Sequence, residues 1–311
     1  MIYRKSLKIP MTKSCKVADF LIQEREFHYR LDIFFAKNWR NKKKKPIVLH
    51  FTGAAMKGPY TVDSPMVKQW IKQDFIFCCV YYYHHRFQDL TWSTQDKRTS
   101  RFPVAPFTQP PYWCENFSRG HDYHHHLRGR AYMIQSALEY LVDHGVEFKF
   151  AKLDIDKIFF TSKSRGGIST VVWSALSNCQ EWQKYQHFCK GIVNSNGFVG
   201  SDLLYDQKAG WRNFKNSMQV LSYYIAHTQH IFYHAYNEKD VGNNDISRRL
   251  IYSIPKKILK NHYFTNFTQL GHVTHIEYNI AVVKAMLNND KCYIEDKQIK
   301  DIAEIFQEIE K

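Results

Sequence analysis

The sequence predicts an α/β fold, a mostly parallel sheet covered by helices on both faces. Three observations carry that prediction. Continuous apolar runs, PIVLHF (46–51) and FIFCCVYYY (75–83), have the composition of strands buried on both faces. Between them lie amphipathic stretches with apolar residues three and four apart, as in SPMVKQWIKQ (64–73). The two kinds of segment then alternate along the chain, and strands joined by crossover helices pair in parallel.

Taken in order, VADFLIQEREFHYRLDIFFAK (17–37) alternates apolar and polar residues and reads as two strands or one long hairpin, which adds an antiparallel edge to the sheet. PIVLHFTG (46–53) is a buried strand ending in glycine. In 64–73 a serine N-cap and a proline at the first helical position open a helix with Val67, Trp70 and Ile71 on one face. FIFCCVYYY is the second buried strand. The stretch 84–127, rich in His, Arg, Pro and aromatics, is predicted to be an insertion or lid, since loops of that length in compact domains usually serve function. AYMIQSALEYLVDHG (131–145) is a helix closed by Gly145, KIFFT (157–161) a strand and GISTVVWSALSN (167–178) a helix. GIVNSNGF (191–198), HIFYHAY (230–236) and HYFTNF (262–267) are strands. ISRRLIYSI (246–254), EYNIAVVKAML (277–287) and the C-terminal IKDIAEIFQEIE are helices. Asp154 and Asp156 are expected on a solvated turn, and Trp173 in the core.

One domain over residues 1–311 fits better than two. With 44% hydrophobic and 16% aromatic residues the chain can bury a large core, which excludes a disordered protein. Its longest apolar run falls far short of the roughly 20 residues of a membrane span, and no secretory leader is evident, so a cytoplasmic protein is expected. The seven cysteines show no metal-site spacing and are read as free, mostly buried thiols. A net charge of +15 points to an anionic partner, but no nucleic-acid signature accompanies it, so nucleic acid is not favoured. The histidines at 84, 85, 121 and 124–126 lack a known ligand spacing. No metal and no cofactor is expected.

In such a sheet functional groups collect at the carboxyl ends of the strands. After the strand KIFFT comes Ser162-Lys163-Ser164-Arg165-Gly166, a small-x-Ser-x-small sequence ahead of a helix. A nucleophile on a sharp strand-to-helix turn needs small residues two before and two after it, so that strand and helix can approach. The helix N-terminus adds free N–H groups beneath a developing oxyanion. Here the chain resembles the α/β-hydrolase superfamily over roughly residues 45–290, with serine in place of the motif's first glycine.

The resemblance implies a serine hydrolase or acyltransferase with nucleophile, acid and histidine in that chain order. Ser164 is the implied nucleophile. After the strand 230–236, Asn237-x-x-Asp240 matches the family's G-x-x-D, which favours Asp240 over Glu238 as the acid. After the last strand, QLGHVTHIE supplies Gly271-His272, so His272 is the implied base, with His275 as the alternative. The oxyanion hole would use the N–H of Arg165 and of Gly53 or Ala54 in HFTGAA.

Lys163, Arg86 and Arg128 are candidate contacts for an anionic substrate, and Trp92, Tyr112 and Trp113 could stack on sugar rings. By length, the HFTG loop and the SKSRGG turn, the chain is also similar to bacterial capsular polysaccharide biosynthesis proteins of the XcbB/CpsF type. That similarity implies a cytosolic role in building an anionic capsule polymer; the basic, aromatic-rich insertion suggests a carbohydrate substrate, and peripheral association with a membrane-bound biosynthetic complex is expected. The competing readings are a non-catalytic binding or assembly protein with this fold, and a phosphate-ligand transferase using SKSRGG.

Overall fold

The computed structural model describes residues 1–10, 28–37, 39, 43–52, 59–81, 123–176, 180–196, 224–239, 259, 261–270 and 274–289. Eight strands form one sheet: β1 (Ile2–Pro10), β2 (His28–Ala36), β3 (Lys45–Phe51), β4 (Ile76–Tyr81), β5 (Leu153–Lys163), β6 (Cys189–Ser195), β7 (Phe232–Lys239) and β8 (His262–Leu270). Their order is β1-β2-β4-β3-β5-β6-β7-β8. β1 pairs antiparallel with β2, and β2 antiparallel with β4; every later pairing is parallel. The predicted fold class is therefore the observed one.

The helices are α1 (Pro65–Lys72), α2 (Tyr123–His144), α3 (Arg165–Ala175), α4 (Gln180–Gln186) and α5 (Ile276–Asn288). Alternation along β5 sorts them onto two faces. Phe159 packs on Phe75, which meets Trp70 of α1, while its neighbour Phe160 packs on Trp173 of α3. Tyr132 of α2 and Trp182 of α4 meet edge to face on the α3 side. On the α1 side, Lys284 of α5 donates to Gln73 at the end of α1. The central strands β3 and β4 are buried along nearly their whole length, as continuous apolar runs require. Cys78 and Cys79 are fully buried free thiols, and Cys189 is a third. Trp173 lies wholly in the core, its indole N–H donating to Gln135.

Several boundaries differ from the sequence reading. The antiparallel hairpin is made by 2–10 with 28–36, not within 17–37. β1, IYRKSLKIP, went unrecognised because its exposed edge carries Arg4, Lys5 and Lys8 where an alternating pattern would show apolar residues. α2 starts at Tyr123, so the last residues assigned to the 84–127 insertion are helical; residues 84–122 lie outside the described residues. β5 starts at Leu153, which puts Asp154 and Asp156 on a strand and not on a turn. There Asp154 meets Lys157 at 3.4 Å. β7 runs on to Lys239, so Asn237 and Glu238 belong to a strand and not to a loop.

One buried ion pair stands out at the antiparallel side. Arg30 donates through Nε and Nη2 to the two carboxylate oxygens of Asp32, at 2.7 and 2.9 Å, with its guanidinium over the Tyr81 ring. A bidentate pair of this kind satisfies charges that would be costly to bury alone.

Candidate active site at the carboxyl ends of the central strands

Ser164 joins β5 to α3 with φ 53° and ψ −126°. Of the four described non-glycine residues with positive φ, the others are Asp74, Asn196 and Asn289, types that tolerate that region. Serine does so at a cost on the order of 1–3 kcal/mol, and such outliers cluster at functional sites. The turn is held from both sides. The Ser164 N–H donates to the Ser195 carbonyl on β6 at 3.0 Å, and the Ser164 carbonyl accepts from the Gly167 N–H at 2.9 Å. The Ser164 side chain does not cap α3.

The small residues that the motif requires can be justified one by one. A Cβ on Gly166 would collide with the Phe51 carbonyl oxygen and lie 3.0 Å from that of Thr52, so α3 packs its first turn directly on the backbone leaving β3. At the other small position, Ser162 is fully buried and donates its hydroxyl to Asn194 Oδ1. Asn194 Oδ1 also accepts from Thr170, and Asn194 donates to the Gly167 carbonyl. Serine replaces the usual glycine because Asn194 on β6 receives its hydroxyl. Sequence reasoning had no partner to offer it.

Lys163 ends β5 and is half-buried. Its positive charge, after burial itself, holds the His50 imidazole down to about 3, so that ring is neutral. His50 contacts Thr161 Oγ1 at 3.0 Å and the Tyr60 hydroxyl at 3.4 Å, while the Tyr60 N–H donates to the Tyr81 hydroxyl at 2.9 Å. Tyr60 is thereby tied to His50 of β3 and Tyr81 of β4, and His50 to Thr161 of β5; Gly53 and Ala54 lie outside the described residues. Arg165 is the first residue of α3, where backbone N–H groups have no intrahelical acceptor.

Across β6 and β7 the site continues with histidine and amide chemistry. His275 is the N-cap residue of α5, 8% exposed, with its ring stacked on Phe267 at 3.9 Å. Its Nε2–H donates to Asn237 Oδ1 on β7, and burial holds its pKa below the ordinary 6.5. Asp240 and His272 lie outside the described residues, as does Arg86; Arg128 lies on α2. The structure thus brings Ser164, Lys163 and the Arg165 backbone to one turn, and sets Asn237 and His275 together two strands over. Asn194, Ser195 and Asn237 were missed as site residues. The one signal in the sequence was their polarity at the end of otherwise apolar strands.

Among the described residues no three His, Cys, Asp or Glu side chains cluster to hold a metal ion, and no helix is long and apolar enough to cross a membrane.

No protein-family model matches the chain, and no curated protein matches it significantly by sequence. Solved structures do match. Esterase B from Lactobacillus rhamnosis superimposes with a TM-score of 0.56 at 11% identity, over 96% of this chain and 89% of that one. The esterase Est22 gives 0.54 at 10% identity, over 94% and 80%. The acylaminoacyl peptidase of Pyrococcus horikoshii gives 0.56 at 12% identity, over 98% of this chain but 44% of that longer one. The shared architecture, with the mixed eight-stranded sheet and its helices, is that of the α/β hydrolases, and this chain has an α/β-hydrolase fold.

Proposed function

We propose that the protein is a serine-dependent acyl-transfer enzyme, an esterase, deacetylase or O-acyltransferase, with Ser164 as nucleophile. The observation that carries this reading is the backbone of Ser164. A serine is held at φ 53° at the head of α3, and the glycine two residues on packs against the backbone of Phe51 and Thr52, which precede Gly53 and Ala54 in the sequence. Fold alone would not carry it, since one fold hosts many activities.

In this reading Ser164 Oγ attacks the acyl carbon while the base takes its proton. The Arg165 N–H and that of Gly53 or Ala54 stabilise the oxyanion. The leaving alcohol departs with the proton from the base, and water or an acceptor alcohol then cleaves the acyl-enzyme. Asp240 follows β7 and His272 precedes α5, the order the triad requires. The engagement of His275 Nε2 by Asn237 favours His272 as the base. The net charge of +15, with Lys163 beside the nucleophile, supports an anionic substrate. A carbohydrate bearing carboxylate or phosphate, as in capsule assembly at a membrane-bound complex, would meet Lys163, Arg86 and Arg128.

The test is p-nitrophenyl acetate hydrolysis by variants. Ser164→Ala and His272→Ala should each lose at least 10³-fold in kcat, while His275→Gln, whose side-chain amide can still donate to Asn237 Oδ1, keeps most activity. Loss with His275→Gln but not with His272→Ala would move the base to His275. A folded wild type with no esterase activity and no acylation would favour a binding protein.

A further inference from the structure

The carboxyl ends of β5, β6 and β7 and the start of α5 are joined by a series of hydrogen bonds that the acyl-transfer steps do not themselves use. The Ser164 N–H donates to the Ser195 carbonyl at 3.0 Å. The Ser195 hydroxyl donates to Asn279 Oδ1 at 3.1 Å, and the Asn279 N–H donates to the His275 carbonyl at 2.9 Å. His275 Nε2–H donates to Asn237 Oδ1, the Asn237 N–H donates to Asn196 Oδ1 at 2.8 Å, and the Asn196 N–H donates to the Ala235 carbonyl at 2.9 Å. All five polar side chains are buried: Ser195, Asn196, Asn237, His275 and Asn279.

Ser195 is the hub, because one residue holds both the elbow and the helix. Its carbonyl fixes the backbone of Ser164, and its hydroxyl fixes α5. Asn279 lies one turn along α5 from His275, beside the buried Ile280, Val282 and Val283. A buried amide on so apolar a face contributes little net stability over an apolar pair of the same shape. With its Oδ1 held by the Ser195 hydroxyl, it instead selects one register of the helix on the sheet. In the sequence His272 lies three residues before His275, the N-cap of α5.

We propose that Asn279 and Asn237, acting through Ser195 and His275, are positioning residues that hold the start of α5 in register with the Ser164 turn. The proposal rests on the reading of Ser164 as nucleophile with His272, three residues before His275 in the sequence, as its base. The chemistry is geometric. Proton transfer needs heavy atoms within hydrogen-bond reach, and a displacement of about 1 Å can cost on the order of 10²-fold in rate.

The test compares Ser195→Ala, Asn279→Leu, Asn237→Leu and the double variant Ser195→Ala/Asn279→Leu. For each, kcat and KM are measured with p-nitrophenyl acetate, the rate of fluorophosphonate labelling is recorded, and thermal stability is followed alongside. The double variant replaces both partners by apolar groups and is the one that keeps the fold if a single variant unfolds. Each variant should lose about 10- to 100-fold in kcat and in labelling rate with KM nearly unchanged. The double variant should be no slower than the worse single one, and Ser195→Thr, which keeps the hydroxyl, should restore most of the rate. Lower melting temperatures with wild-type kcat and labelling rate would overturn the positioning role and leave the nucleophile reading standing. A folded wild type that never labels would overturn both.

Discussion

At the amino ends of β7 and β8, His234 and His262 stack with rings 5.3 Å apart and Nε2 of one 3.0 Å from Nδ1 of the other. Thr228 closes that pair, and Phe232 covers it. At the carboxyl ends of the same two strands, His275 stacks on Phe267 and donates to Asn237. Both ends bury imidazoles against aromatic rings and both lower their pKa values by burial. They differ in what surrounds them. The amino end ends in Thr228 and an aromatic wall. The carboxyl side of the sheet also carries, two strands over on β5, a strained serine, a half-buried lysine and the first turn of α3. The same residue type serves packing at one end and geometry at the other, and backbone strain marks which is which.

The contrast can be broken most sharply at Gly166. Gly166→Ala puts a Cβ into the Phe51 carbonyl, which is backbone and cannot swing away, so more than about 3 kcal/mol of stability should be lost in chemical denaturation. Gly191→Ala faces the flexible thioether of Met286 and should cost much less. Equal losses at the two glycines would remove the case for close approach at the elbow.

Acid should act through the packing histidines. His50 and His262 are held down to about 3 and His230 to about 4, all chiefly by burial, with His234 lower than ordinary as well. Their folded pKa values lie below the unfolded 6.5, so the unfolded chain takes up protons first as pH falls. Stability is thus full above 6.5 and is lost from there down towards 3 to 4, by about 1.4 kcal/mol per pH unit per histidine. The denaturation midpoint should fall steeply between pH 7 and 5. A flat midpoint over that range would contradict neutral burial of these rings.

At Ser164 itself, Ser164→Gly should be more stable than Ser164→Ala by on the order of 1 kcal/mol, because glycine adopts φ 53° without a Cβ penalty. A smaller effect is expected at Ser162. Ser162→Gly restores the commoner residue and removes one of the two hydroxyl donors to Asn194 Oδ1, leaving that of Thr170, so it should cost at most about 1 kcal/mol in melting experiments and leave labelling of Ser164 intact.

How far this was legible in the sequence follows from what each segment buries. Strands β3 and β4 were readable because burial on both faces selects apolar residues along most of each run, and the SKSRGG turn because its spacing reports a steric need. β1 was hidden by the charges of a solvent-facing edge. The run of β7 past Tyr236 was hidden because NEKD has a turn's composition, although its Asn237 pairs with Phe267 in the sheet. Asn279 and Ser195 could not be paired from sequence at all. They are 84 residues apart, and only the folded sheet brings the end of β6 beneath the first turn of α5.

The central claim is that Ser164 is a nucleophile. It is tested most directly by treating the folded protein with a fluorophosphonate and locating the adduct by peptide mass spectrometry. The account predicts one covalent phosphonyl group on Ser164, absent in Ser164→Ala. A folded protein that stays unmodified, or that carries the group on another residue, would contradict it.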